Sequence, residues 1–191
     1  MVIRMIYISK GIAGKASTTE LVQVIRGDHK VCLSGLEAAL WLNGRFSFAL
    51  VYTPDEECAL NRLVRMGLAE AESENTEESK YWILSRCICC PAKAAKRNIG
   101  LSAEEKAVLF WLVNAGLRLS TAELIYLMEH KVEAKPGLLH TDNRQALVEA
   151  IYTADTITDN ILENKMAAAE CRDSIVRSML SLLKKKKMLL L

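Results

Sequence analysis

Three prolines in 191 residues, with 25% of residues charged, exclude a disordered, collagen-like or low-complexity chain. No uninterrupted apolar run approaches the roughly 20 residues a membrane-spanning helix needs, so no stable membrane insertion is expected. An excess of one charge is also missing: 25 basic residues face 23 acidic ones, and a sum of +2 points to neither a nucleic-acid binder nor an acidic scaffold. Histidine is scarce. His29, His130 and His140 are scattered, so nothing completes a four-ligand zinc site around the C-x-x-C pair Cys87 and Cys90.

Cys89 joins that pair. Cys90 is expected to cap a helix over Ala92–Arg97, whose dipole and lysines would lower its thiol pKa. The surroundings lack the βαβ pattern of a thioredoxin-type motif, so Cys87, Cys89 and Cys90 stand as the chain's closest approach to a metal or thiol-redox centre, beside a plain reading as ordinary thiols. Gly11–Ser17 lacks the G-x-x-x-x-G-K-[ST] spacing of a phosphate-binding loop. Carboxylates lie on helix starts rather than in an apolar pocket that would shift a pKa. No catalytic residue, metal or cofactor is assigned, and the chain reads as a non-enzyme.

What is present is a core-forming composition, 51% hydrophobic. Met1–Ile8 is apolar, but Arg4 interrupts it and no small-residue cleavage site follows, so it reads as a short buried strand and not as a secretory signal. With the six cysteines read as reduced thiols, a soluble cytoplasmic protein is expected. The most regular signal is the capping box, which recurs at Ser17–Glu20, Ser34–Glu37, Thr53–Glu56, Ser102–Glu105 and Ser120–Glu123, each before an apolar segment. Gly27, Gly44, Gly67 and Gly116 lie where four of these helices would end.

His29–Leu33 suits a brief strand, and Leu68–Arg86 reads as a hairpin with a polar tip at Glu74–Ser79. The order over 17–86 is then helix, strand, helix, helix, strand, strand. Leu60-Asn-Arg-Leu-Val-Arg-Met-Gly-Leu68, followed by this charged hairpin and Tyr81–Leu84, resembles the third helix and wing of the winged-helix superfamily. Arg45–Tyr52 is longer than the tight turn usual there. The resemblance implies a transcription regulator that binds DNA.

The second half is expected to be helical. Ala103–Ala115 is apolar nearly all round, as a central helix would be, and Thr121–His130 should pack on it. From Arg144 to Leu183 neither proline nor glycine appears, and Ile151, Ala154, Ile157, Ile161, Ala168, Cys171, Ile175, Met179 and Leu182 recur in threes and fours, with Asn164 on the seam. This predicts a C-terminal helix over about 144–186 that forms a homodimer, or else helices folded on the protein's own core, with a break possible near 155–160. Leu182–Leu191 sets four lysines among apolar residues and reads as a frayed helix end, with a contact to a membrane surface or an anionic partner as the weaker alternative.

The whole is therefore expected to be mainly α with a small β hairpin: a winged-helix-like domain over 1–90, a basic linker over 91–101, and a helical domain over 102–191. The charges qualify its function. Between Thr53 and Ser79 eight carboxylates stand against Arg62 and Arg65, a local net charge of −6 where a groove-reading helix and wing should be basic. Lys80, Arg86, Lys93, Lys96 and Arg97 follow with no acid before Glu104. Those five residues with Arg62 and Arg65 are the candidate nucleic-acid contacts; a solvated linker is the plainer reading of the five, and a basic protein partner for the acidic face is the alternative to DNA.

Overall fold

The computed structural model describes residues 5–15, 17–18, 21–92, 99–114, 119–132 and 159–191. It corrects the expected fold class. The described residues form seven helices and three separate three-stranded antiparallel sheets, a mixed α/β architecture rather than a mainly helical one with a single hairpin. Two compact units result, Met1–Ile83 with Leu189–Leu191, and Leu84–Met188.

In the first unit, β1 (Ile6–Ser9) is fully buried and lies between β5 (Ala49–Leu50) and β6 (Ala69–Glu72), pairing Tyr7 with Ala49 and with Ala71. The second sheet has the order β2 (Ile12–Ala13), β3 (Leu21–Arg26), β4 (His29–Ser34). The helix expected after Ser17 is thus a strand. Leu21-Val-Gln-Val-Ile alternates with period two and buries Val22 and Val24, and the Ser17 hydroxyl donates to the Gln23 carbonyl and accepts from its amide instead of capping a helix.

Helix α1 (Gly35–Asn43) begins at Ser34, whose side chain makes no cap bond. The long Arg45–Tyr52 connection contains β5, which explains its length. Helix α2 (Pro54–Arg65) opens with the complete Thr53/Glu56 capping box and Pro54 in its first turn. It closes at Gly67 (φ +69°), where the Gly67 amide donates to Val64 O and the Leu68 amide to Leu63 O. A Cβ on Gly67 would stand 2.1 Å from the tip of the exposed Arg26 side chain, which can swing aside, so it is the left-handed backbone that calls for glycine there.

The expected 68–86 hairpin does not form. Its first arm, β6, pairs with β1, and its aromatic arm is helix α3 (Glu77–Ser85). The overlooked signal is Thr76, whose hydroxyl accepts from the Ser79 amide and so caps a helix with Glu77 and Glu78 in its first turn. Tyr7 and Trp41 centre the core of the first unit, with the Tyr7 hydroxyl donating to Leu40 O (2.9 Å) and the Trp41 indole donating to Lys10 O (2.9 Å). Burial, ahead of its other influences, pushes the Tyr7 pKa up to about 12.

In the second unit, β7 (Ile88–Pro91) pairs antiparallel with β8 (Leu119–Ser120), Cys89 opposite Leu119, and the strand β9 (Met188–Leu190) begins at the last residue of this unit. Helices α4 (Ala103–Asn114) and α5 (Thr121–Glu129) start at boxes in which Ser102 and Ser120 exchange bonds with Glu105 and Glu123. Val108, Leu109, Trp111 and Leu112 of α4 are buried, but Phe110 and Val113 are exposed. The C-terminal stretch is two helices in the described residues, α6 (Asp159–Ala167) and α7 (Arg172–Lys184), so the expected continuous helix is interrupted at 168–171, where Arg172 Nη1 donates to Ala167 O. The tail does not fray. Lys186 adopts φ +55°, the Lys186 and Lys187 amides donate to Leu183 and Leu182 O, and β9 follows.

Candidate functional site

Helix α2 buries Ala59, Leu60 and Leu63 and turns the opposite stripe outward. Pro54, Glu57, Cys58, Asn61, Arg62 and Arg65 line a shallow groove of about 300 Å³ along it. The charge of α2 runs from Asp55 and Glu57 at its N-terminal end to Arg65 at its C-terminal end, the order the helix dipole favours. Glu56 is held back from the stripe: hydrogen bonds from the Tyr52 amide and then from Thr53 keep its carboxyl below its ordinary pKa.

Arg62 Nε donates to Glu37 Oε1 (2.5 Å) and Nη1 to Cys58 Sγ (3.3 Å), and the Glu37 bond is the chief reason its pKa is pushed further up. Of the candidate nucleic-acid contacts, the structure brings together Arg62 and Arg65 on α2. Lys80 sits on α3, ion-paired with Glu77, and exposed Arg86 belongs to the second unit. Lys93, Lys96 and Arg97 lie outside the described residues. The carboxylates of the expected hairpin are likewise dispersed, because Glu70 binds buried Lys10 (Nζ to Oε1, 2.5 Å) while Glu77 and Glu78 start α3.

Sequence reasoning missed a second surface, the outer edge of β4. The β3–β4 hairpin turns on Gly27-Asp28 in strict register from Arg26↔His29 to Leu21↔Ser34. Its closing pair is hydrogen-bonded, so Val31 and Leu33 bond to β3 while Lys30, Cys32 and Ser34 direct their amides and carbonyls away from it. Along β3, Gln23 and Leu21 conform, their carbonyls accepting from Gly14 and Thr18 on the β2 side. Among the described residues no strand pairs with the outer edge of β4. A glycine-led two-residue turn between alternating apolar residues was the available signal.

Of the seam residues, Ile175, Met179 and Leu182 are buried within their own unit on α7, Cys171 is half-buried in the interruption, and Asn164 and Ala168 are exposed. Ile151, Ala154 and Ile157 lie outside the described residues, and Ile161 falls in α6. Cys90 lies in β7 rather than at a helix start. Cys87 and Cys89 are buried, and burial, with the Cys87 thiol adding to it, pushes the Cys89 thiol well up. All six cysteines are free, and among the described residues no three His, Cys, Asp or Glu side chains gather in a way that could hold a metal. Among the described residues no helix is long and apolar enough to cross a membrane.

No protein-family model, curated protein or solved structure matches the chain.

Proposed function

We propose that this chain is a non-enzymatic protein-binding adaptor that offers the outward stripe of α2 to a basic segment of a partner protein. One observation carries the reading: Asp55 and Glu57 stand at the start of α2, while Arg62, the first cation along the stripe, is already held by Glu37. A duplex approaching this helix end meets carboxylates first, whereas a lysine-bearing peptide meets complementary charge. This favours the adaptor over the DNA-binding regulator that the winged-helix resemblance implied.

A benzophenone placed on exposed Cys58, in a Cys32→Ser chain, tests it directly. It should crosslink a lysine-rich peptide in preference to a glutamate-rich one, and Asp55→Lys with Glu57→Lys should reverse the preference. Random duplex DNA titrated at several salt concentrations should show no binding. A steep negative slope of log K against log salt, abolished by Arg62→Ala with Arg65→Ala, would overturn the adaptor reading in favour of DNA.

A further inference from the structure

We propose that two copies of this chain join through the outer edges of β4, forming one continuous six-stranded sheet about a twofold axis at Cys32. The surface differs from the α2 stripe, and the inference does not rest on the adaptor reading. Of the residues first expected to make a dimer, Ile175, Met179 and Leu182 are committed elsewhere, buried inside their own unit. Among the described residues the outer edge of β4 has no strand partner. It runs six residues in unbroken register with β3 and has neither proline nor bulge, which leaves Lys30 as its one blunting charge.

The occupant is argued from self-complementarity. The outward-bonding residues are Lys30, Cys32 and Ser34, and an antiparallel register centred on Cys32 maps that set onto itself: Cys32 opposite Cys32, Lys30 opposite Ser34, Ser34 opposite Lys30. Each of the three is then a hydrogen-bonded pair, so every outward amide and carbonyl of the edge is satisfied. On the core-facing side Val31 comes opposite Leu33, apolar against apolar. The neighbouring in-phase registers pair less of the set. Centring on Val31 sets Ser34 against Asp28 of the turn, and centring on Leu33 sets Lys30 against Leu36 of α1. Centring on Lys30 sets two ammonium groups opposite one another. The result is an isologous contact, closed by its own symmetry.

Sedimentation equilibrium of the full chain over a wide concentration range tests the proposal. The mass should rise towards twice 21.3 kDa as concentration increases. Cys32→Pro removes an N–H that points away from β3, so the hairpin keeps its ladder while the chain should stay monomeric throughout. Should that variant fail to fold, Ser34 decides, because its side chain makes no cap bond. Ser34→Glu, opposite Lys30 in both symmetric pairs, should tighten the dimer about fivefold, and Ser34→Lys should loosen it by a similar factor. A short bis-maleimide should link two chains in a Cys58→Ser background and fail to do so when Cys32→Ser is added. A wild type that stays monomeric at every concentration overturns the proposal and leaves the edge to a foreign strand. A dimer whose strength is indifferent to both Ser34 substitutions overturns it equally.

Discussion

Lys185 Nζ lies 2.8 Å from both carboxylate oxygens of Glu105, 80 residues earlier in the chain, and so ties the end of α7 to the first turn of α4. Burial alone would raise the Glu105 pKa. Hydrogen bonds from Lys185, Ser181 and the Ser102 amide, with the Lys185 charge, outweigh it and bring the value from 4.5 down to about 2.

A carboxyl with a depressed folded-state pKa contributes stability that is complete above its unfolded pKa and is lost as pH falls through the folded one. The window is therefore about pH 4.5 down to about 2. Thermal unfolding followed by circular dichroism should show the wild type losing stability across this window more steeply than Glu105→Gln. At neutral pH the variant should be the less stable by about 2 kcal/mol, and the two should converge near the acid end.

Lys10 is 3% exposed, and its ammonium group is paired with Glu70. Glu70→Ala leaves that charge buried, and chemical denaturation should show a loss of about 3 kcal/mol. Lys10→Met combined with Glu70→Leu removes both charges and should recover most of that loss, because an apolar pair of similar size avoids the desolvation cost.

Helices α2 and α7 end in the same hydrogen-bond pattern, but the left-handed residue is Gly67 in one and Lys186 in the other. Lys186→Gly relieves a side chain held at φ +55° and should raise stability by about 0.5 kcal/mol. Gly67→Ala should lower it by about 1 kcal/mol, the left-handed penalty of a side chain at φ +69°. Urea midpoints at constant m-value would measure both.

Cys32 and Cys58 are exposed, whereas Cys89 is buried and its thiol pKa is pushed up. Under native conditions at neutral pH, iodoacetamide should modify Cys32 and Cys58 first and leave Cys89 intact until the chain unfolds. Peptide mapping against time checks this, and rapid modification of Cys89 would contradict its burial.

Much of the first helix-to-helix grammar was legible locally. Thr53, Ser102 and Ser120 start helices because a capping box needs only four consecutive residues, and all three boxes close with both bonds. The same motif at Ser17 failed because the alternation of Leu21–Ile25 buries Val22 and Val24 more effectively as a strand than a helix could. Lys80–Leu84 went the other way: its aromatic, β-prone residues fold as helix α3 because Thr76 supplies the cap and β6 already has β1 as a partner. The candidate surface was half legible. The acidic start of α2 could be read directly, but the engagement of Arg62 by Glu37 depends on a residue 25 positions away.

The sequence by itself determined elements whose causes are short-ranged: the capped helices at Thr53, Ser102 and Ser120, the glycine stop at Gly67, and the carboxylates at the start of α2. Only the tertiary structure decided which strands pair, that a supposed wing is a strand joined to β1, that the seam residues of α7 turn inward, and that among the described residues no strand pairs with the outer edge of β4. The physical reason is range. Capping and turn chemistry act within a few residues, whereas strand pairing and burial are settled by partners tens of residues away, whose competition no local pattern records.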